Sequence, residues 1–166
     1  MPIAVLVRPA TLPDAAPMAR IYNYYVSATI VTFEEEAVER EDFERRLRDV
    51  QSASLPWLVA EQGSEIVGYA YASPWKRRYG YRFSVEVTVY LDPTCARRGI
   101  GTKLYGQLLP TLKAAGIRVA IGGIALPNDA SVLLHEKFGF EKVAHFKKVG
   151  IKFDQWIDVG YWQLSL

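Results

Sequence analysis

The stretch FSVEVTVYLDPTCARRGIGT, residues 83–102, decides the fold of this chain. Apolar and polar residues alternate in it as far as Leu91, which predicts a β-strand with one buried face. Glu86 belongs to the polar side of this strand and points away from the row of valines. A turn with two glycines, Gly99 and Gly101, then leads into a helix with regularly spaced leucines.

The turn at Arg97–Thr102 is the first candidate binding site. A strand, a glycine-containing turn and a long helix place unpaired backbone N–H groups at the positive end of a helix dipole, where a diphosphate binds well. An ordinary glycine-containing loop is the alternative. The Walker pattern is absent, and the dinucleotide fingerprint fails because no third glycine follows Gly101. Neither ATP nor NAD is therefore the expected ligand.

Hydrophobic periodicity divides the rest of the chain into short strands and helices. The order β-α-α-β-β-β-α-β-α-β-β is neither a repeat nor a doubly wound series, so it predicts an α+β domain with a mixed central sheet. At 166 residues, the whole chain 1–166 is expected to be a single domain. The predicted elements outside the opening stretch are a strand at Ile3–Val7, a helix introduced by Asp14, a helix with Phe43, Leu47 and Val50 on its apolar face, a hairpin of Trp57–Glu61 and Ile66–Ser73, a strand at Val119–Ala125, a helix capped by Asn128 or Asp129, and strands at Glu141–Val149 and Ile157–Leu164.

Composition and charge exclude several classes of protein. The residues are 50% hydrophobic and 23% charged, which is typical of a folded soluble protein. No apolar stretch approaches the roughly 20 residues of a membrane span, so we expect a cytoplasmic protein without a membrane partner. A net charge of +2 does not favour a nucleic-acid partner. Cys95, His135 and His145 lack metal-ligand spacing, so no metal site is predicted.

Two ordered motifs give the chain a resemblance to the GNAT N-acetyltransferases. Arg97–Thr102 occupies the place of the family signature Gln/Arg-x-x-Gly-x-Gly/Ala, although Ala96 stands where that signature has Gln or Arg. Asn128–Phe140 resembles the family segment Asn-x-x-Ala/Ser followed by Leu-Tyr-Glu-Lys-x-Gly-Phe. The resemblance implies the GNAT fold, in which four helices flank a mixed, mostly antiparallel sheet of about seven strands. It also implies acetyl-CoA as co-substrate.

The resemblance further implies which residues hold coenzyme A. Main-chain amides of the turn grip the pyrophosphate, and a backbone N–H near Val89 meets the developing oxyanion. Asn128 contacts the pantetheine or pyrophosphate arm, a role that is compatible with its capping of a helix. The cofactor-binding residues expected on this basis are Val89, Tyr90, Leu91, Arg97, Arg98, Gly99, Ile100, Gly101, Thr102 and Asn128.

Further segments resemble the phosphinothricin and methionine sulfoximine/sulfone N-acetyltransferases within that superfamily. This closer resemblance implies direct acetyl transfer to the amino group of a small amino-acid-like molecule, and a homodimer. Aromatic residues near the C-terminus, such as Trp156 and Trp162, suit a dimer face and core packing equally. The matching segments are Ile21–Asn23, Thr32–Glu34, Tyr71–Trp75, Tyr81–Arg82, Val85–Tyr90, Gly122–Asn128 and Gly150–Val159.

Glu86 and His135 are the candidate catalytic residues. An amine at neutral pH is mostly an ammonium ion, so the site needs a base that removes one proton. Glu86 lies near the expected acetyl group, and burial should raise its pKa; the alternative is a structural carboxylate paired with an arginine. His135 stands where many GNAT enzymes place a tyrosine that protonates the departing thiolate, and a packed histidine is the alternative.

Substrate selection is assigned mainly to the cationic, aromatic loop after the hairpin. A guanidinium fork matches a carboxylate or phosphinate in a bidentate manner, whereas a merely solvated loop is the alternative. Two other functions stay open: a GNAT enzyme for a peptide N-terminus or polyamine, which should have an acidic pocket, and a non-catalytic module that binds coenzyme A. The residues expected to bind the substrate are Phe33, Glu34, Trp75, Lys76, Arg77, Arg78, Glu86, Val87 and Thr88.

Overall fold

A computed structural model describes residues 4–166 of the chain. The predicted order of strands and helices is confirmed, and Ile3, the first residue of the strand expected at Ile3–Val7, lies outside the described residues. The strands are β1 Val5–Pro9, β2 Trp57–Gln62, β3 Glu65–Pro74, β4 Ser84–Leu91, β5 Val119–Leu126, β6 Glu141–Lys152 and β7 Gln155–Ser165, and the helices are α1 Ala15–Ala28, α2 Arg40–Ser52, α3 Ile100–Ala114 and α4 Asp129–Lys137.

The strands form one seven-stranded sheet in the order β1-β2-β3-β4-β5-β7-β6. Every neighbouring pair is antiparallel except β4 and β5, which are parallel. The predicted mixed, mostly antiparallel sheet flanked by four helices is therefore confirmed. That residues 1–166 form a single domain stays a prediction.

Pairing between β4 and β5 is short. It extends only from Ser84 with Val119 to Glu86 with Ile121, although both strands continue beyond these residues. The continuing halves of β4 and β5 therefore border a gap in the middle of the sheet. This gap is the structural feature on which the site depends.

Two hydrophobic cores cover the two faces of the sheet. On one face, Leu104, Leu108 and Leu112 recur at helical spacing along α3 and are fully buried. On the other face, α1 and α2 pack their apolar residues against β2 and β3. Pro110 does not interrupt α3. Within residues 4–166, no helix has both the length and the apolar composition needed to cross a membrane.

Candidate active site

A cavity of about 520 Å³ opens where β4 and β5 separate. Both strands supply its walls, together with α4, the segment between α1 and α2, and strands β7 and β6 on the far side of β5. Glu86 is the only charged residue among the lining residues that the structure describes. The lining residues are Val31, Thr32, Phe33, Glu86, Val87, Thr88, Val89, Tyr90, Tyr105, Gly123, Ile124, Ala125, Asn128, Ser131, His135, Phe146, Val149, Val159 and Tyr161.

The backbone of Val89 faces the gap. In an antiparallel ladder, alternate residues direct their N–H and C=O groups to the partner strand. Asp92 N–H donates to Val67 O beyond one end of the β3–β4 pair, and Trp75 N–H donates to Ser84 O at the other, so the even-numbered residues of β4 face β3. The odd-numbered Val89 therefore presents its N–H to the side where β5 has moved away. This is the position at which a donor could meet an oxyanion.

Glu86 is half-buried on the cavity side of β4, while its neighbours Val85 and Val87 are buried in the core with α3. The prediction that Glu86 points away from the valine row is therefore confirmed. Within residues 4–166, no lysine or arginine lies within 4 Å of its carboxylate, contrary to the alternative of a structural ion pair. Burial raises the pKa of the Glu86 carboxyl.

His135 is buried on α4 and borders the same cavity. Its Nδ1 lies 2.7 Å from the carbonyl oxygen of Ser131, which can only accept, so Nδ1 carries a proton. Burial lowers the pKa of the imidazole and keeps the ring neutral. Nε2 therefore accepts a hydrogen bond from the hydroxyl of Tyr105 at 3.0 Å. The proton between Tyr105 and His135 is therefore the hydroxyl proton of Tyr105.

The glycine turn has the geometry of an anion site, with different roles for its two glycines. Gly99 caps α3 with φ of +76°, a conformation that favours glycine. Gly101 is buried, and a Cβ there would lie 3.0 Å from Cδ2 of Leu134, so its missing side chain also allows α3 to approach α4. Arg97 and Arg98 are exposed beside the turn.

The other expected cofactor residues surround this turn and the gap. Asn128 accepts a hydrogen bond from Ser131 N–H at 3.2 Å, which confirms it as the cap of α4, and it also lines the cavity. Ile100 is buried under the turn, whereas Thr102 is half-buried and accepts a hydrogen bond from Lys137 Nζ at 3.3 Å. Tyr90 lines the cavity as well.

The residues expected to bind the substrate fall into two groups. Phe33, Val87 and Thr88 line the cavity, as does Glu86. Glu34 does not; its carboxylate accepts a hydrogen bond from Arg46 at 2.6 Å.

The second group is the cationic loop, Trp75 to Arg78, which begins at the rim of the cavity. Trp75 packs edge-on against Tyr161, a cavity residue, with ring centroids 5.6 Å apart. Lys76, Arg77 and Arg78 are exposed and are not among the lining residues.

Comparison with known proteins decides the family. Residues 7–160 match the family described as "Acetyltransferase (GNAT) domain". The chain belongs to the GNAT acetyltransferase family. The predicted family, fold and enzyme class of this GNAT acetyltransferase are therefore confirmed.

Relatives of this GNAT acetyltransferase match over almost its whole length. A phosphinothricin N-acetyltransferase of Streptomyces viridochromogenes is 40% identical over 96% of this chain and 86% of the relative. An L-methionine sulfoximine/L-methionine sulfone acetyltransferase of Salmonella typhimurium is 32% identical over 96% of this chain and 94% of the relative. A phosphinothricin acetyltransferase of Sinorhizobium meliloti, solved in complex with acetyl-CoA, has a TM-score of 0.94 and 31% identity, covering 98% of this chain and 88% of that structure. The resemblance to these acetyltransferases is therefore confirmed.

Sequence reasoning missed several residues of the site in this GNAT acetyltransferase. Tyr105 follows Gly101 by one helical turn, and its spacing with Leu104 and Leu108 is typical of a core residue. Tyr161, Phe146 and Val149 come from β6 and β7, far along the chain from the signature motifs. Only the strand order brings them to the gap, because β7 is the neighbour of β5.

Proposed function

We propose that this GNAT acetyltransferase transfers the acetyl group of acetyl-CoA to the amino group of a small amino-acid analogue such as phosphinothricin, methionine sulfoximine or methionine sulfone. The observation that carries the proposal is the position of Glu86, a half-buried carboxylate in the cavity at the β4–β5 gap that has no lysine or arginine partner among residues 4–166. The names of the relatives support this class of acceptor.

Acetyl-CoA enters from the side of the glycine turn. The amides at the start of α3 hold its pyrophosphate near the positive end of the helix dipole, and Arg97 and Arg98 add positive charge beside it. The pantetheine arm runs into the gap between β4 and β5, along Tyr90, Leu91 and Asn128. This path ends at the N–H of Val89, which stabilises the oxyanion formed when the amine attacks the thioester.

Glu86 removes the proton of the acceptor ammonium group. Because burial raises its pKa, the carboxylate is a stronger base than an ordinary glutamate. The neutral amine attacks the carbonyl carbon directly, and the carbon–sulfur bond breaks as the tetrahedral intermediate collapses. The products are the N-acetylated amino acid and coenzyme A.

The departing thiolate takes a proton from the Tyr105–His135 pair. His135 was the expected general acid, but its Nε2 is an acceptor, so the hydroxyl of Tyr105 is the group with a proton to give. His135 holds that hydroxyl in place, and Ser131 holds His135. The nitrogen loses two protons in all: Glu86 takes the first before attack, and the second, lost as the tetrahedral intermediate collapses, replaces the proton that Tyr105 gives to sulfur. The reaction therefore releases one proton net, through Glu86.

The acceptor carboxylate is bound by the cationic loop. Trp75 brings the start of that loop to the rim of the cavity, and Lys76, Arg77 and Arg78 supply the counter-charge that a free amino acid needs. The cavity itself contains a single acidic residue, Glu86, among the described lining residues. A polyamine or another polycation would require more negative charge, so this arrangement favours the amino-acid analogue.

The enzyme acts as a homodimer in the cytoplasm, where acetyl-CoA is available. Apolar side chains of β6 and β7 support the dimer, since Ile151 is 49% exposed and its strand neighbour Trp156 is 63% exposed. Light scattering after gel filtration should give twice the mass of the chain. A monomer at micromolar concentration would contradict the dimer.

The release of free thiol from acetyl-CoA tests the proposed reaction. Each acceptor is added separately: phosphinothricin, methionine sulfoximine and methionine sulfone as the proposed class, and spermine and a short peptide as controls. We expect thiol release with at least one of the three analogues and little with the two controls. Turnover confined to spermine or the peptide contradicts the substrate class, and no turnover with any acceptor favours a non-catalytic module that binds coenzyme A.

A further inference from the structure

Lys152, at the end of β6, has a completely buried side chain. Its Nζ donates hydrogen bonds to two backbone carbonyl oxygens, Thr32 O at 2.7 Å and Tyr25 O at 3.3 Å. Within residues 4–166, no carboxylate lies within 4 Å of this ammonium group; Glu35 acts on it only through longer-range attraction. The lysine thus neutralises no adjacent charge and serves as a donor to the main chain.

Burying this charge has a cost. Transfer of an ammonium group from water costs several kcal/mol unless partners compensate, and well-packed hydrocarbon at such a position is often as stable or more stable. Burial accordingly lowers the pKa of Lys152. Stability alone therefore gives little reason for a lysine here. The reason lies instead in the two segments whose carbonyl oxygens Lys152 binds.

One contact holds the wall of the active-site cavity. Thr32 and its neighbours Val31 and Phe33 line the cavity, although this segment between α1 and α2 has no regular secondary structure. The hydroxyl of Thr32 shares a hydrogen bond with that of Tyr22 at 2.7 Å. Lys152 binds the carbonyl oxygen of the same residue, so the hydroxyl and the carbonyl group of Thr32 are both restrained.

The ring of Phe33 rests on the same strand as Lys152. A Cβ at Gly150 would collide with Cζ of Phe33, so the ring occupies the space that any side chain at position 150 would need. Gly150 and Lys152 lie two residues apart on β6. Lys152 binds Thr32 and Gly150 leaves room for Phe33, so both wall residues lie against the edge strand β6.

The second contact connects this wall to the cofactor side. Tyr25 belongs to the last turn of α1, where carbonyl groups lack helical partners and a cation is favourable. The hydroxyl of Tyr25 donates to Leu91 O at 2.6 Å, at the end of β4. Through Tyr25 and Thr32, one ammonium group therefore links β6 and α1 with the wall of the cavity.

We propose that Lys152 is a positioning residue that sets the affinity for the amino-acid acceptor by holding residues 31–33 as a wall of the cavity. The inference rests on the proposed function, because it assigns that wall to the acceptor. Among the described residues, the hydrogen bond from Lys152 to Tyr25 O is the only one that connects its ammonium group to the acetyl-CoA side of the gap. The acceptor and acetyl-CoA should therefore respond differently when Lys152 is replaced.

The substitution Lys152→Met tests whether the acceptor and acetyl-CoA respond differently. Lys147→Met, on the exposed part of β6, is the matched control. We expect K152M to raise the KM for the acceptor about 10-fold or more, the scale of one lost hydrogen bond to a charged group. The KM for acetyl-CoA should stay within about 2-fold of the wild type on the same scale. K147M should leave both constants unchanged.

Hydrogen exchange of residues 29–36 supplies a readout that does not require turnover. K152M should exchange this segment faster than the wild type, while K147M should not. Wild-type exchange in K152M, a wild-type KM for the acceptor, or an equal rise in both KM values would overturn the proposal. If K152M does not fold, Gly150→Ala decides instead: it displaces Phe33 from the same wall, and a wild-type acceptor KM in G150A would overturn the proposal.

The same measurements separate this inference from the proposed function. A wild-type enzyme that acetylates none of the amino-acid analogues contradicts the proposed function, and the exchange comparison then still shows whether Lys152 holds the wall. An active wild type with unchanged acceptor kinetics in K152M contradicts the inference alone.

Discussion

Gly123 of β5 faces the carboxylate of Glu86 across the β4–β5 gap. A Cβ built at Gly123 would lie 3.3 Å from Oε1 of Glu86 and 3.0 Å from Cε1 of Tyr161. Both distances are shorter than ordinary van der Waals contact, so a methyl group there would force the carboxylate or the ring to shift. The space beside the Glu86 carboxylate thus depends on residue 123 having no side chain.

The substitution Gly123→Ala should therefore lower kcat/KM without unfolding the protein. We expect a fall of about 10-fold in kcat/KM, since a misplacement of about 1 Å at a reacting group can cost about 10²-fold and the shift needed here is smaller. Steady-state kinetics checks the result, with thermal unfolding to confirm that the fold persists. Wild-type kinetics in G123A would mean that the carboxylate does not have to occupy its observed position.

Tyr105→Phe should separate the hydroxyl of Tyr105 from the packing of its ring. The variant leaves the buried Nε2 of His135 without its donor, which should cost about 1–3 kcal/mol of the free energy of unfolding. If the hydroxyl protonates the thiolate, kcat should also fall by about 10²-fold, the lower end of the range for a general acid. A normal kcat in a correctly folded Y105F would refute the role of Tyr105 and leave a purely structural pair.

The neutral His135 predicts a pH dependence of stability. Because burial lowers its folded-state pKa below the ordinary value of 6.5, the unfolded chain binds a proton more readily than the folded one. Its contribution to stability is therefore present above about pH 6.5 and is lost as the pH falls through the folded-state pKa. Urea unfolding between pH 5 and 8 measures this slope, and His135→Gln should reduce it. An equal slope in H135Q would contradict the neutral imidazole.

Two glycines of α3 offer a matched pair of substitutions: Gly99 at the N-terminal cap and Gly106 on the exposed side of the helix. Gly99→Ala places a side chain at φ of +76°, which costs about 1–2 kcal/mol and disturbs the turn, so the affinity for coenzyme A should fall about 10-fold. Gly106→Ala lies on the exposed side of α3, with no atom within 4 Å of the added Cβ, and should stabilise the helix by about 0.5–1 kcal/mol. Calorimetry with coenzyme A measures the binding, and G106A should bind like the wild type. Equal affinities in G99A and the wild type would contradict the role of the turn.

The local parts of the site were predictable from sequence. The alternation along β4 placed Glu86 opposite the valines, because side chains in a strand alternate with a period of two. Asn128 was recognisable as the cap of α4, since its side chain satisfies a free N–H of the first turn. Each of these features depends on residues that are close along the chain.

The missing parts depend on contacts between distant segments. Lys152 lies in the β6–β7 hairpin, where a lysine is normally exposed. It is buried because the segment between α1 and α2 packs against it. The path of the loop after Trp75 likewise determines how far Arg77 and Arg78 lie from the cavity. The charge of that loop is visible in the sequence, but its position requires the folded chain.

Replacement of Glu86 by Gln tests the account most directly. The carboxamide keeps the shape of the side chain but cannot act as a base, so turnover near neutral pH should fall about 10²-fold or more; the exposed Glu65→Gln is the control. The wild type should also lose kcat/KM at acid pH with a midpoint above the ordinary value of 4.5, because burial raises the pKa of Glu86. We predict that E86Q lacks this acid limb and is nearly inactive, whereas E65Q is normal. Wild-type turnover in E86Q would contradict the account.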